Sequence, residues 1–383
     1  MPGEAFAVRG RLALAGGARD GAVVIRGGRI AAVLDAPPGA SLPPRVRRAA
    51  WVAPGFIDLQ VNGGFGADLA TTPGALATLR RRLPETGVTS FLPTLVSSPL
   101  EVMERAAAWP ELAAAAPAGG ARALGLHLEG PLLAPQRAGA HDRAVIEAAE
   151  ADPGLLDRML ALPHLRLVTL APERPGALDR IARLVAAGIT VSLGHTDADR
   201  DAVRAAASAG ARLVTHLYNA MSGFAHRAPG AVGAALTDDR LVLGLIADGV
   251  HADPDAVALA VRAAGPDRVA LVTDAMEAAG MPPGRYALAG RPVEVDGRSA
   301  RLDDGTLAGS VLTLDAAVRN AVAWTGAPPA AALRMASAVP ARALGLADAG
   351  EIEVGRRADL VLFDEALEVI ETIVAGETVH ARA

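Results

Sequence analysis

The spacing of apolar residues divides the chain into three zones. Near the N-terminus, "GAVVIRGGRIAAVLDA" alternates short apolar runs with polar positions and is punctuated by Gly-Gly and Pro-Pro. This pattern predicts antiparallel hairpins. The C-terminal stretch "GEIEVGRRADLVLFDEALEVIETIVAGETVHA" repeats it. In between, the apolar runs become continuous: "FIDLQV", "VTSFLPTLV", "ALGLHLEG", "LRLVTLAP", "TVSLGHT", "RLVTHLYNA", "LVLGLIADGVH" and "VALVTDAM". Amphipathic stretches such as "GALDRIARLVAAG" and "ADRDAVRAAASAG" separate most of them. A strand buried on both faces needs a continuous apolar run, and eight such units over about 220 residues suit a (β/α)8 barrel. A doubly wound sheet competes, but no glycine-rich phosphate loop follows the first run. The expected architecture is α/β: a (β/α)8 TIM barrel over residues 52–345, with a small discontinuous β-sandwich domain built from residues 1–51 and 346–383.

Composition narrows the chemistry more than the fold. The chain has 383 residues, is 51% hydrophobic and has a mean hydropathy of +0.29, yet no run approaches the ~20 apolar residues of a spanning helix. Arg9 and Arg11 fall where a signal peptide needs its apolar centre, so a cytoplasmic protein without a membrane partner is expected. There is no Cys, which removes disulfides and thiolate metal ligands. There is no Lys either, since all 37 basic residues are Arg; a Schiff base and a carbamylated lysine bridging two metals are both excluded. The net charge is −5 and only Arg80 to Arg82 form a basic run, so no nucleic-acid partner is expected.

Polar residues gather at the ends of the apolar runs. The first run ends in Asp58, Gln60 and Asn62, the third in His127 and Glu129, the fifth in His195, the sixth in His216, the seventh in Asp248 and His251, and the eighth in Asp274. In a barrel these ends converge on one mouth. Glu129, His195 and His216 offer one carboxylate and two imidazoles, a donor set that suits a catalytic metal with an open position for water. Any single histidine here reads as well as a hydrogen-bonded core residue; several at successive strand ends favour a site. Asp274 is the candidate general base and acid, with a helix N-cap as its competing role. His141 and His251 are candidates for contacting substrate, and a loop histidine bonded to solvent is the alternative for each. His127 shares a strand face with Glu129 and reads as inner packing, and His164 and His380 carry no role.

The strings "APGFIDLQVNGG", "GLHLEGP", "GHT", "THLYNAM", "HRAPG", "ADGVH", "VTDAM" and "TLAGS", in this order from about residue 52 to residue 310, resemble the N-acetylglucosamine-6-phosphate deacetylases of the amidohydrolase superfamily. The resemblance implies hydrolysis of the acetamide of N-acetylglucosamine 6-phosphate to glucosamine 6-phosphate and acetate. It implies metal ligation by Glu129, His195 and His216, acid/base catalysis by Asp274, and polarisation of the amide carbonyl by His141. It places Ala140, Asn219, Ala220, Arg227, His251, Leu307, Ala308 and Gly309 against the substrate, and implies a homodimer in which Arg227 reaches the partner's sugar phosphate. Some family members carry His-x-His where this chain has Gln60 and Asn62, and bind two metals. Amide side chains are weak ligands beside imidazole, so one divalent metal per chain is expected, zinc first, with iron, manganese or cobalt also suited to the donor set. Three competing functions remain: deacetylation of N-acetylgalactosamine 6-phosphate, a non-catalytic binding protein on the same fold, and a cyclic-amide hydrolase or deaminase of the same superfamily, which usually relies on the His-x-His absent here. The second predicts loss of a ligand or of Asp274, and all four are present.

Overall fold

The structure, a computed structural model, describes residues 5–35, 42–113 and 119–382. Eight parallel strands follow one another around a barrel: β1 Phe56–Val61, β2 Val88–Val96, β3 Leu126–Glu129, β4 Leu165–Leu170, β5 Thr190–Leu193, β6 Leu213–Val214, β7 Val242–Leu245 and β8 Val269–Leu271. Each corresponds to one of the continuous apolar runs. Neighbours in sequence are neighbours in space, and every pairing is parallel. The ring closes at its C-terminal rim, where Val61 bridges Ala275 and the amides of Asn62 and Gly63 donate to the Ala275 carbonyl at 2.8 and 3.0 Å.

The two helices expected from "GALDRIARLVAAG" and "ADRDAVRAAASAG" span Ala177–Ala186 and Arg200–Ala209. In the first, Ile181 and Leu184, one turn apart, are buried against the barrel. The second opens where the Asp199 side chain accepts from the Ala202 amide at 2.8 Å, and ends on Gly210 at φ 115°, a conformation that favours glycine.

The chain ends form one seven-stranded sheet with both termini interleaved. Strand Arg45–Pro54 lies between the N-terminal strand Phe6–Leu14 and the C-terminal strand Leu360–Phe363. The sheet folds over its own apolar face, Val8, Leu12, Val52, Leu360 and Leu362, because the 27–30 turn meets residues 355–358: Ile30 N donates to Arg356 O and Ala358 N to Gly28 O, each at 2.9 Å. It fits the small discontinuous β-domain expected. Its other face, with Trp51, Ala53, Val361 and Phe363, is continuous with the barrel core. Gly55 joins the two bodies. A Cβ there would come within 2.1 Å of Thr89 Oγ1, so the junction has no room for a side chain.

Phe56 packs its ring 5.6 Å from that of Phe363, and both are fully buried. Phe56→Ala is expected to lower unfolding free energy by about 3–5 kcal/mol, because it opens a cavity where the two bodies meet. Denaturant unfolding would measure this; a loss below 1 kcal/mol would mean the two bodies do not stabilise one another through this contact.

A third sheet was not foreseen. Strands Gly284–Leu288, Arg291–Val295 and Ala300–Arg301 form an antiparallel meander between β8 and the helix Leu314–Thr325. Its apolar residues Leu288, Val293, Val295 and Ala300 pack with Val96, Met276 and Ala308, so it roofs one side of the barrel mouth.

Candidate active site

The strand ends bring Glu129, His195 and His216 into contact. Glu129 is the last residue of β3 and is buried. His195 and His216 follow β5 and β6 by two residues, at φ 48° and 29°. Asp274, after β8, sits at φ 50°. Positive φ is uncommon for residues with a Cβ, and here it falls on three groups that share one barrel mouth. Gly194 precedes His195 because a Cβ at that position would lie 2.8 Å from Thr215 Cβ on the neighbouring strand.

His216 Nε2 is 2.9 Å from Glu129 Oε1, His195 Nε2 is 3.2 Å from the same oxygen, and the two Nε2 atoms are 3.2 Å apart. Ligands about 2.0–2.1 Å from a tetrahedral ion lie ~3.3 Å from one another. The three donor atoms therefore match the spacing of a single metal ion's coordination edges. The tautomer agrees for His195, whose Nδ1 donates to the Arg137 carbonyl at 2.8 Å and leaves the Nε2 lone pair for the ion. This donor set fits a divalent metal.

Glu129, His141 and His195 also lie close enough to share an ion, but hydrogen bonding argues against His141 as a ligand. Its Nδ1 accepts the Ser97 amide at 3.0 Å, so the neutral ring carries its proton on Nε2. Burial, helped by the nearby His195 and opposed by Glu129, brings its pKa down to about 4 and keeps the ring neutral. Nε2 lies 3.6 Å from Glu129 Oε2, so His141 presents a neutral N–H beside the candidate ligands. Burial pushes the Glu129 carboxyl up, but the imidazoles of His141, His195 and His216 gathered around it outweigh that and hold the group well below the usual carboxylate range.

Burial, with the Glu129 charge adding to it, raises Asp274 to about 6; His216, His251 and the Asn62 amide oppose the shift. Asn62 Nδ2 donates to Asp274 Oδ1 at 2.7 Å, which aims the side chain, and Ser310 N to the Asp274 backbone carbonyl at 2.8 Å, which holds the main chain that carries it. Behind it, Thr273 Oγ1 donates to Asp58 Oδ2 at 2.6 Å. Asp58 is fully buried and burial raises it to about 7, against hydrogen bonds from Thr273 and the Gln60 amide.

Gln60 and Asn62 occupy different depths. Asn62 faces the mouth; Gln60 lies one layer down, in a small cavity with His127, Ser192 and Thr215. His127 is inner packing: its Nε2 meets Thr169 Oγ1 at 2.9 Å in a buried ladder continuing to Thr215 and Ser192. His251 Nδ1 is 2.7 Å from Asp248 Oδ2, and its ring edges the mouth.

A cavity of about 320 Å³ opens over these groups. Ala140, Asn219, Ala220, His251, Leu307 and Gly309 line it. Ala308 is fully buried behind its neighbours, and Arg227 is exposed on the loop after β6, outside the lining. Residues that the sequence reading did not single out also line it, among them Gln136, Arg137, Leu288 and Thr306. Arg137, in "LLAPQRAGAH" between Glu129 and His141, was legible only as a basic residue near two site residues.

The model of the Amidohydrolase family matches residues 51–379. The chain is 44% identical to an N-acetylgalactosamine-6-phosphate deacetylase of Escherichia coli O157:H7 over 86% of its length and 88% of that protein's. It is also 44% identical to an N-acetylglucosamine-6-phosphate deacetylase of Homo sapiens, over 86% and 83% of the two chains. Among solved structures, a mutant N-acetyl-D-glucosamine-6-phosphate deacetylase of Mycobacterium smegmatis, in complex with N-acetyl-D-glucosamine 6-phosphate, superposes with a TM-score of 0.91 at 36% identity, covering 98% of this chain and all of that one. The match across barrel and C-terminal strands, together with a carboxylate and two histidines converging in the barrel mouth, places this chain in the amidohydrolase family.

Proposed function

We propose that the protein hydrolyses the acetamide of N-acetyl-D-glucosamine 6-phosphate to D-glucosamine 6-phosphate and acetate, using one divalent metal per chain, zinc in the first instance. The observation that carries this reading is the meeting of Glu129, His195, His216 and Asp274 in one mouth, within a chain so similar to deacetylases of this substrate. Among the described residues no helix is long and apolar enough to cross a membrane, and a cytoplasmic homodimer suits this reading.

Glu129, His195 and His216 would hold the metal, whose chemistry at this position is to acidify water and to polarise a carbonyl. Asp274, its carboxylate aimed by Asn62, takes a proton from the water that adds to the amide carbon, and delivers one to the departing nitrogen as the C–N bond breaks. His141 donates from Nε2 to the carbonyl oxygen as charge builds there; the proton is already on that nitrogen because Nδ1 is occupied by Ser97. His251, oriented by Asp248, faces the sugar. Asn219 and Ala220 serve the phosphate, with Arg227 reaching it from the partner of a dimer; its exposure outside its own mouth suits that role. Leu307 and Gly309 close the wall.

The galactosamine epimer is the second reading, favoured by the 44% identity to the Escherichia coli O157:H7 protein. Acetate release on both 6-phosphorylated N-acetylhexosamines, beside their unphosphorylated forms, tests the proposal. The expected result is highest kcat/KM on the glucosamine derivative and a clear preference for phosphorylated sugars. Faster turnover of the galactosamine derivative would shift the assignment to the epimer; turnover of neither would remove it.

A further inference from the structure

We propose that Arg137 is a substrate-recognition residue, whose guanidinium exchanges Asp197 for the phosphate of the sugar within the same chain. The inference rests on the phosphorylated substrate proposed above and adds a residue not among those expected to touch it.

Among the described residues lining the mouth, Arg137 is the only arginine. Its Nε and Nη2 both donate to a single oxygen, Asp197 Oδ1, at 3.0 and 2.6 Å. The other N–H groups of its five-donor fork make no bond to that carboxylate, and neither donor reaches Asp197 Oδ2. The two side chains are 37% and 44% exposed, and an ion pair that open is worth little. A phosphate monoester brings nearly two negative charges and three acceptor oxygens, and outcompetes a lone carboxylate oxygen for a planar fork. Glu173, the other acid nearby, is already committed to the Thr196 hydroxyl and the Asp197 amide.

Position supports the exchange. Thr196, next to Asp197, donates its amide to the Ala220 carbonyl at 3.0 Å, so the Arg137–Asp197 pair sits beside the Asn219–Ala220 turn to which the phosphate is assigned. The Arg137 carbonyl meanwhile holds His195 Nδ1 at 2.8 Å. A phosphate gripped by the side chain thus also seats the backbone that orients a metal ligand.

The test compares the wild type, Arg137→Met and Asp197→Asn. Acetate release is measured from phosphorylated and unphosphorylated N-acetylglucosamine, with metal content determined on each sample. In Arg137→Met the phosphorylated-to-unphosphorylated kcat/KM ratio is expected to fall about 10- to 100-fold, carried by KM, at full metal content. Asp197→Asn is expected to move the other way, with KM for the phosphorylated sugar falling roughly two- to fivefold as the guanidinium is released. A pair that merely braces the loop would impair both variants alike, and that outcome overturns the proposal. An unchanged ratio in Arg137→Met overturns it too. If Arg137→Met does not fold, Asp197→Asn decides alone: an unchanged or raised KM refutes the exchange. Failure of the wild type to release acetate from the phosphorylated sugar would instead remove the function on which the proposal rests.

Discussion

Asp274→Asn is expected to lower kcat by roughly 10²- to 10⁴-fold while metal content stays at the wild-type level. Asparagine matches aspartate in size, so the buried position remains filled and the hydrogen bond from Ser310 to the residue 274 carbonyl is untouched. Only the capacity to accept and return a proton is lost. The bond from Asn62 Nδ2 can be restored if the new amide presents its oxygen, so substrate binding is expected to change little. The effect therefore belongs in kcat, with KM nearly constant. Acetate release near the wild-type rate would assign proton transfer to another group. Loss of metal along with activity would instead mean that Asp274 acts as a ligand.

Removing the metal is expected to abolish turnover and leave the barrel folded. Glu129, His195 and His216 are buried, but the apolar core that surrounds them is continuous without any contribution from an ion. Chelator-treated protein should thus keep its circular dichroism spectrum, lose acetate release to background, and recover it on addition of one equivalent of divalent ion. Melting temperature should rise on reloading, because an ion that binds the native state alone stabilises it by mass action. Activity persisting after exhaustive removal would refute metal dependence. Two tightly held ions per chain would contradict the one-metal reading, which rests on the weakness of the Gln60 and Asn62 amides as ligands beside imidazole.

Much of this was visible in the sequence, for a physical reason. Strands walled by helices outside and side chains inside leave an unbroken apolar signal, and "FIDLQV" or "VALVTDAM" needs no partner to be read. Polar groups at the ends of such runs are conspicuous because burial there is costly unless something compensates. The meander at 284–301 escaped because its strands are short and partly exposed, and its Leu288, Val293 and Val295 belong to a satellite cluster. Arg137 escaped because nothing in "PQRAGAH" distinguishes an arginine aimed at a mouth from one aimed at solvent. The proton on His141 Nε2 depends on the Ser97 amide, 44 residues away, and no local pattern carries such a contact. Strand alternation puts Gln60 and Asn62 on one face and the rise along the strand separates them in depth, yet which of them ends at the rim required knowing where β1 stops.

The interleaved sheet also bears on the order in which the molecule is made. Strand Arg45–Pro54 is synthesised before the barrel, but one of its two sheet neighbours, Leu360–Phe363, only after it. Throughout translation of the barrel that strand presents an unpaired edge, with Trp51, Val52 and Ala53 still to be covered. The nascent protein can complete its barrel before this sheet closes, and the strands from Leu360 onward convert an adhesive intermediate into a covered sheet.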